Sequence, residues 1–247
     1  MINESTIKKL NEMRLTAMAE KYRLQQKDEN FATLSFDERL GMLVDFEWDR
    51  RKSNKLTRLI KSANFKFNQA CIEDIEYHSD RKLSESQIKK LATCKYILDK
   101  NNVIVMGAAG NGKSYIACAL GIEACRKEFS VKYIRLPELL DELVVAKGEG
   151  VFKKVIKKYK KVDLLIIDEW LLTTLKAHEA RELFEIIESR YQEKSTVYCS
   201  QFAPEGWHDK IGEITLADAI LDRIVHASYK VFIDGQTSMR ERKGLNQ

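Results

Sequence analysis

An α/β fold with a five-stranded, mainly parallel sheet, preceded by a small all-helical N-terminal domain, is what three features of the sequence predict. The first is the stretch VIVMGAAGNGKS at 103–114, where an apolar β-branched run ends in a glycine-rich turn. The second is VDLLIIDE at 162–169, a continuous apolar run bounded by charges, as expected of a strand buried on both faces of a parallel sheet. The third is the alternation of strand and helix patterns from residue 103 to residue 233, which favours parallel strands joined by helical crossovers.

The turn after the first strand has the spacing G-x-x-x-x-G-K-S, carried by Gly107, Ala108, Ala109, Gly110, Asn111, Gly112, Lys113 and Ser114. A loop that wraps a β-phosphate must point several backbone N–H groups inward at once, and glycine permits the angles this requires. The helix expected from Tyr115 onward directs the positive end of its dipole at the same phosphate. Lys113 is placed to neutralise β- and γ-oxygens, and the Ser114 hydroxyl to ligate Mg²⁺. A chance lysine after a glycine-rich turn is the competing reading. The strand before the loop and the helix after it argue against that reading.

Asp168 and Glu169 end the second apolar run, where two adjacent carboxylates are costly unless a cation or a reaction uses them. In a phosphate-loop protein Asp168 can hold the Mg²⁺ shell, and Glu169 can orient the water that attacks a γ-phosphate. A further strand, 196–201, ends in Ser200 and Gln201 at what should be the same sheet edge. No N-K-x-D guanine signature is present, so ATP is the expected nucleotide.

Composition narrows the class. Hydrophobic residues make up 44% and charged residues 32%, and only two prolines occur, which fits a soluble globular protein without long disordered linkers. No apolar run approaches the ~20 residues needed to span a bilayer, and the N-terminus lacks a signal-type stretch. A cytoplasmic protein with no membrane partner is therefore expected. The five cysteines are odd in number and form no C-x-x-C pair, so reduced, mostly buried thiols are the better reading.

Along the chain, residues 4–27 read as one amphipathic helix, and Ser35 to Glu38 has the S-x-x-E pattern of a capping box before a second. From Arg50 to Lys66 there are seven basic residues and no acid. Arg51, Lys55 and Arg58 share one helical face, flanked by Arg50 and Lys61, while Leu56, Leu59, Ile60 and Ala63 lie on another. A basic face opposite a buried one suits a nucleic-acid backbone, against the blander reading of a solvated helix face. The composition shift beyond it places a domain boundary after residue 68, giving a DNA- or partner-binding domain at 1–68 and an ATPase domain at 69–247. One helix is expected at 83–99. A lysine-rich helix at 151–161 is a second basic surface.

The chain resembles the IstB-like ATPases, helper proteins of insertion-sequence transposition and relatives of the DnaC helicase loaders within the AAA+ ATPases. The resemblance is carried by GAAGNGKSYIACALG (107–121), LLIIDEW (164–170), STVYCSQF (195–202), LADAILDRI (216–224) and SMRER (238–242). It implies a three-layer AAA+ fold. It implies ATP and Mg²⁺ held by residues 107–115, with Asp168 on the metal and Glu169 on the attacking water. Gln201 resembles the sensor at the end of the fourth strand, Arg223 an arginine finger that reaches a neighbouring subunit, and Arg240 the second sensor. Only a short tail follows Ile233, so the family's helical lid would be absent or vestigial, leaving the adenine to residues 83–97 and the tail. The implied partners are double-stranded DNA, a transposase encoded nearby, and further copies of the chain with ATP sites at subunit interfaces. A DnaC-like helicase loader is the alternative. One departure is Ala108, where the family often has proline; no phosphate-binding side chain is lost.

Overall fold

The computed structural model describes residues 2–235, 237–242 and 244, and the side chains of Ile2 and Arg240 lie outside the described part. The chain divides into two compact units, Met1–Arg58 and Leu59–Gln247.

The first unit is helical. It contains α1 (Ile2–Glu12), α2 (Thr16–Lys27) and most of α3 (Phe36–Ala63). The single helix expected over 4–27 is two helices, because Arg14 adopts a left-handed conformation (φ 58°) and turns the chain. Ser35 and Glu38 form the expected capping box: the Ser35 N–H donates to Glu38 Oε2 at 2.8 Å and the Glu38 N–H to Ser35 Oγ at 3.3 Å. With no breaker between Trp48 and Arg50, α3 continues for 28 residues through the basic stretch. Glu47 is buried and accepts the N–H groups of Ala17 (3.0 Å) and Met18 (3.1 Å), placing an anion on the first turn of α2.

In the second unit, α4 (Glu85–Ala92) and α5 (Lys95–Leu98) replace the one helix expected over 83–99, because Cys94 is left-handed (φ 61°). There follow β1 (Asn102–Gly107), α6 (Lys113–Arg126), β2 (Val131–Arg135), α7 (Leu136–Gly148), α8 (Phe152–Lys161) and β3 (Leu164–Trp170). The chain then adds α9 (Ala177–Arg190), β4 (Ser195–Ser200), α10 (Trp207–Ile211), α11 (Ile214–Val225), β5 (Ser228–Ile233) and the short α12 (Met239–Arg242). The strands form one parallel sheet in the order β2-β3-β4-β1-β5.

Side-chain alternation divides the strands between two helical layers. Ile104, Ile134, Leu165, Ile167 and Tyr198 join one core with α7 to α11. On the opposite face α6 presses against the sheet through small residues. A Cβ on Gly121 would come within 2.8 Å of Ile166 Cδ1 and 2.5 Å of Phe65 Cε1. Phe65, just past α3, packs over α6 and lies in the sheet-containing unit. The cysteines are free, four of them buried, and burial pushes Cys94 and Cys118 up to about 11 and Cys125 up to about 12. Among the described residues no helix is long and apolar enough to cross a membrane.

Candidate functional site

The strand order puts the C-terminal ends of β1, β3 and β4 side by side, where open parallel sheets bind ligands. Gly107 ends β1 opposite Ile233 of β5. Its φ is +151°, and a Cβ there would lie 2.1 Å from the Ile233 carbonyl oxygen. The first glycine of the motif is thus required by strand packing. Gly112, left-handed at φ +86°, caps the start of α6. The Lys113 ammonium lies inside the loop, donating to the carbonyls of Gly107 (2.7 Å) and Ala108 (2.8 Å). Asn111 ties the loop to β5 through Nδ2 and the Ile233 carbonyl (3.2 Å), and the tail holds it from the other side through Met239 N–H to Gly110 O (3.0 Å). Ala108 and Ala109 are exposed on its crest.

The acidic pair sits where β3 slips against β4, between Ile167 and Trp170. Such a bulge re-aims side chains, and Glu169 there is left-handed (φ 55°). Asp168 is buried, accepting the Tyr133 hydroxyl at 2.7 Å and the Glu169 N–H at 2.8 Å. Burial and the neighbouring carboxylate push the Tyr133 phenol far above its ordinary value, so it acts as a neutral donor. Glu169 lies 3.5 Å from Arg135 Nη1, a guanidinium shared with Glu138 at 2.7 Å. Ser200 donates to the Trp170 carbonyl (3.0 Å) and accepts from the Phe202 N–H (3.1 Å) and Trp207 Nε1 (3.2 Å), fixing the backbone on either side of Gln201. Lys113, Ser114, Asp168, Glu169 and Gln201 line one cleft of about 100 Å³.

A larger cavity of about 410 Å³ adjoins the other side of the loop, lined by Phe67, Ile75, Arg81, Tyr115 and Met239 with Lys113 and Ser114. Residues 83–97, expected to hold the adenine, do not line this cavity. Ile88, Leu91, Tyr96 and Ile97 are buried in the core, and the segment 66–81 faces the loop in their place. The tail does contribute, through Met239.

A family model described as IstB-like ATP binding protein matches residues 8–246. The chain belongs to this family. It is 37% identical over 243 residues to an insertion sequence ATP-binding protein of Sinorhizobium fredii, covering 98% of this chain and 99% of that one. It is 39% identical over 201 residues to an insertion sequence ATP-binding protein of Pseudomonas fluorescens, covering 81% and 87%. Among solved structures, DnaI matches with a TM-score of 0.59 and 19% identity over 67% of this chain and 91% of that one. The replication initiator DnaA bound to AMPPCP and single-stranded DNA matches with 0.58 and 21% over 68% and 51%. These likenesses show that about two thirds of the chain shares the fold of these proteins.

Other expected site residues of this IstB-like protein lie elsewhere. Arg223, on α11, forms an ion pair with Glu188, donates to the Ala219 carbonyl at 2.9 Å, and covers the rings of Phe184 (5.0 Å) and Tyr191 (5.7 Å). It does not line the cleft. The expected basic face on α3 is partly committed within the helical unit. Arg51 pairs with Glu47 (2.7 Å) and donates to the Arg14 carbonyl (2.9 Å), and Arg50 pairs with Glu20 (2.9 Å). Lys55 is half-buried, whereas Arg58 and Lys61 are exposed. Sequence reasoning missed Tyr133, Arg135 and Arg81. The sheet register, with Arg135 opposite Asp168, is the signal that could have found the first two. Arg81, beside Lys82 in a polar stretch, gives no sequence signal.

Proposed function

We propose that this chain is a Mg²⁺-dependent ATPase that binds duplex DNA in its ATP state and assists a partner transposase. The observation that carries the reading is the convergence of Lys113, Ser114, Asp168, Glu169 and Gln201 on one cleft at the sheet edge. The backbone N–H groups of the loop and the start of α6 receive the phosphates, and Lys113 exchanges loop carbonyls for phosphate oxygens. The Ser114 hydroxyl and the buried Asp168 carboxylate are hard oxygen donors, the set that suits Mg²⁺. Bound there, Mg²⁺ would neutralise charge on the β- and γ-phosphates. Tyr133 and the Glu169 N–H hold Asp168 in place. Glu169 takes the proton of the attacking water, and Gln201 contacts the γ-phosphate or that water. Arg135 sets where the Glu169 carboxylate rests before ATP arrives.

Arg223 completes the site of a neighbouring copy, which makes ATP the link between subunits. Relatives named for insertion sequences support a transposition role over that of a helicase loader. Duplex DNA lies along exposed cations of α3, with the lysine-rich α8 as a second surface. Because Arg50 and Arg51 have structural partners, the informative variant is Arg58→Ala with Lys61→Ala. With two phosphate contacts removed, the slope of log affinity against log salt for a labelled duplex should fall by about 2. An unchanged slope and affinity would remove α3 from the DNA surface.

A further inference from the structure

Arg81 is a buried cation that lies outside the cleft of Asp168, Glu169 and Gln201. It is 3% exposed, and its guanidinium donates to two main-chain oxygens, Glu76 O through Nη1 and Asn111 O through Nη2 (2.9 Å). A guanidinium carries five N–H donors, so Nε–H and one hydrogen on each terminal nitrogen remain. Among the described residues no carboxylate lies within ion-pair distance of it. Glu76 is turned to His78 (2.7 Å), and Asp80 to Arg242. Burial pulls the Arg81 group below its ordinary value, the Glu76 and Asp80 carboxylates oppose that from beyond hydrogen-bond distance, and the nearby Arg242 adds to it. A buried guanidinium whose direct hydrogen bonds go only to carbonyls keeps donors free for an anion that enters the cavity, where Asp74 and Glu76 are the acidic lining.

Its place in the fold says which anion. Nη2 lies 3.2 Å from where a Cβ on Gly112 would sit, beside the first turn of α6. Arg81 lines the cavity that contains Lys113, Ser114, Tyr115 and Ile116. It is absent from the cleft that contains Asp168, Glu169 and Gln201. It therefore stands on the nucleoside side of the loop, away from the hydrolytic groups. Its own carbonyl accepts the Asp234 N–H at 2.9 Å, so the turn after β5 fixes it in register with the loop.

We infer that Arg81 binds the phosphate nearest the nucleoside, supplying from the segment before β1 a second cation for the nucleotide. This rests on the nucleotide-site reading above. The test measures affinities of the full chain for ATP, ADP and adenosine, in wild type, Arg81→Met and Arg81→Lys. Arg81→Met should lose about tenfold to a hundredfold in affinity for ATP and ADP alike, the scale of a charge-assisted hydrogen bond. Adenosine binding should be unchanged. Arg81→Lys should recover most of the loss, because it keeps the charge while losing the fork to the two carbonyls. Three results would overturn the inference: a loss for ATP but not ADP, an equal loss for adenosine, or a lysine variant as weak as methionine. The last would mean that Arg81 only braces Asn111. Wild-type protein that binds neither ATP nor ADP would instead refute the nucleotide site itself.

Discussion

Glu169→Gln should slow ATP turnover by about 10²–10⁴-fold, the usual contribution of a positioned general base, with nucleotide affinity close to wild type. The substitution keeps the size and hydrogen-bonding reach of the side chain and removes only its basicity. The left-handed backbone at residue 169 is already present with a glutamate, and glutamine imposes no further strain there. The ion pair with Arg135, at 3.5 Å and with both groups partly exposed, contributes little to folding. Single-turnover hydrolysis together with equilibrium binding of a fluorescent ATP analogue separates the two effects. Unchanged turnover would leave Glu169 without the catalytic role. Weakened binding with unchanged turnover would make it a ground-state contact.

Arg223→Ala should lower turnover by about 10³-fold or more if its guanidinium reaches a neighbour's γ-phosphate. Within its own chain Arg223 is held by Glu188 and stacked on Phe184 and Tyr191, a setting equally suited to packing. Complementation distinguishes the roles. Arg223→Ala subunits have an intact cleft, and Lys113→Ala subunits have an intact finger. A mixture should regain activity at interfaces where a good cleft meets a good finger, although each variant alone is inactive. A purely structural Arg223 predicts a lowered melting temperature for Arg223→Ala and no gain on mixing.

What the sequence revealed, and what it concealed, follows the range of the interactions. The phosphate loop and Asp168–Glu169 are legible because each is a contiguous run whose chemistry depends on local spacing. The sheet is legible because its central strands β1, β3 and β4 are buried on both faces. The breaks at Arg14 and Cys94 are not legible, since both are ordinary side chains in left-handed conformations where glycine or asparagine would have signalled a turn. The commitments of Arg50 and Arg51 depend on Glu20 and on the Arg14 carbonyl, about 30 or more residues away in sequence. Tyr133, Arg135 and Arg81 reach the site through register and through the return of the chain to the loop. A linear pattern carries neither.

Gly107 illustrates the same point from inside a recognised motif. Motif reasoning assigns it to the phosphate, whereas its close approach to the Ile233 carbonyl assigns it to the packing of β1 on β5. The tail that follows β5 then folds back onto the loop through Met239 and Gly110. The larger cavity beside the loop is therefore bounded by segments from before β1 and after β5.

The proposed function makes ATP the control on DNA binding. Its most direct test is the fluorescence anisotropy of a labelled duplex titrated with the full chain at fixed salt, in Mg²⁺ with ATP, with ADP and without nucleotide. Binding should be tight with ATP and much weaker in the other two conditions, and Lys113→Ala should remove the difference. Three superimposable isotherms from wild-type protein would contradict it.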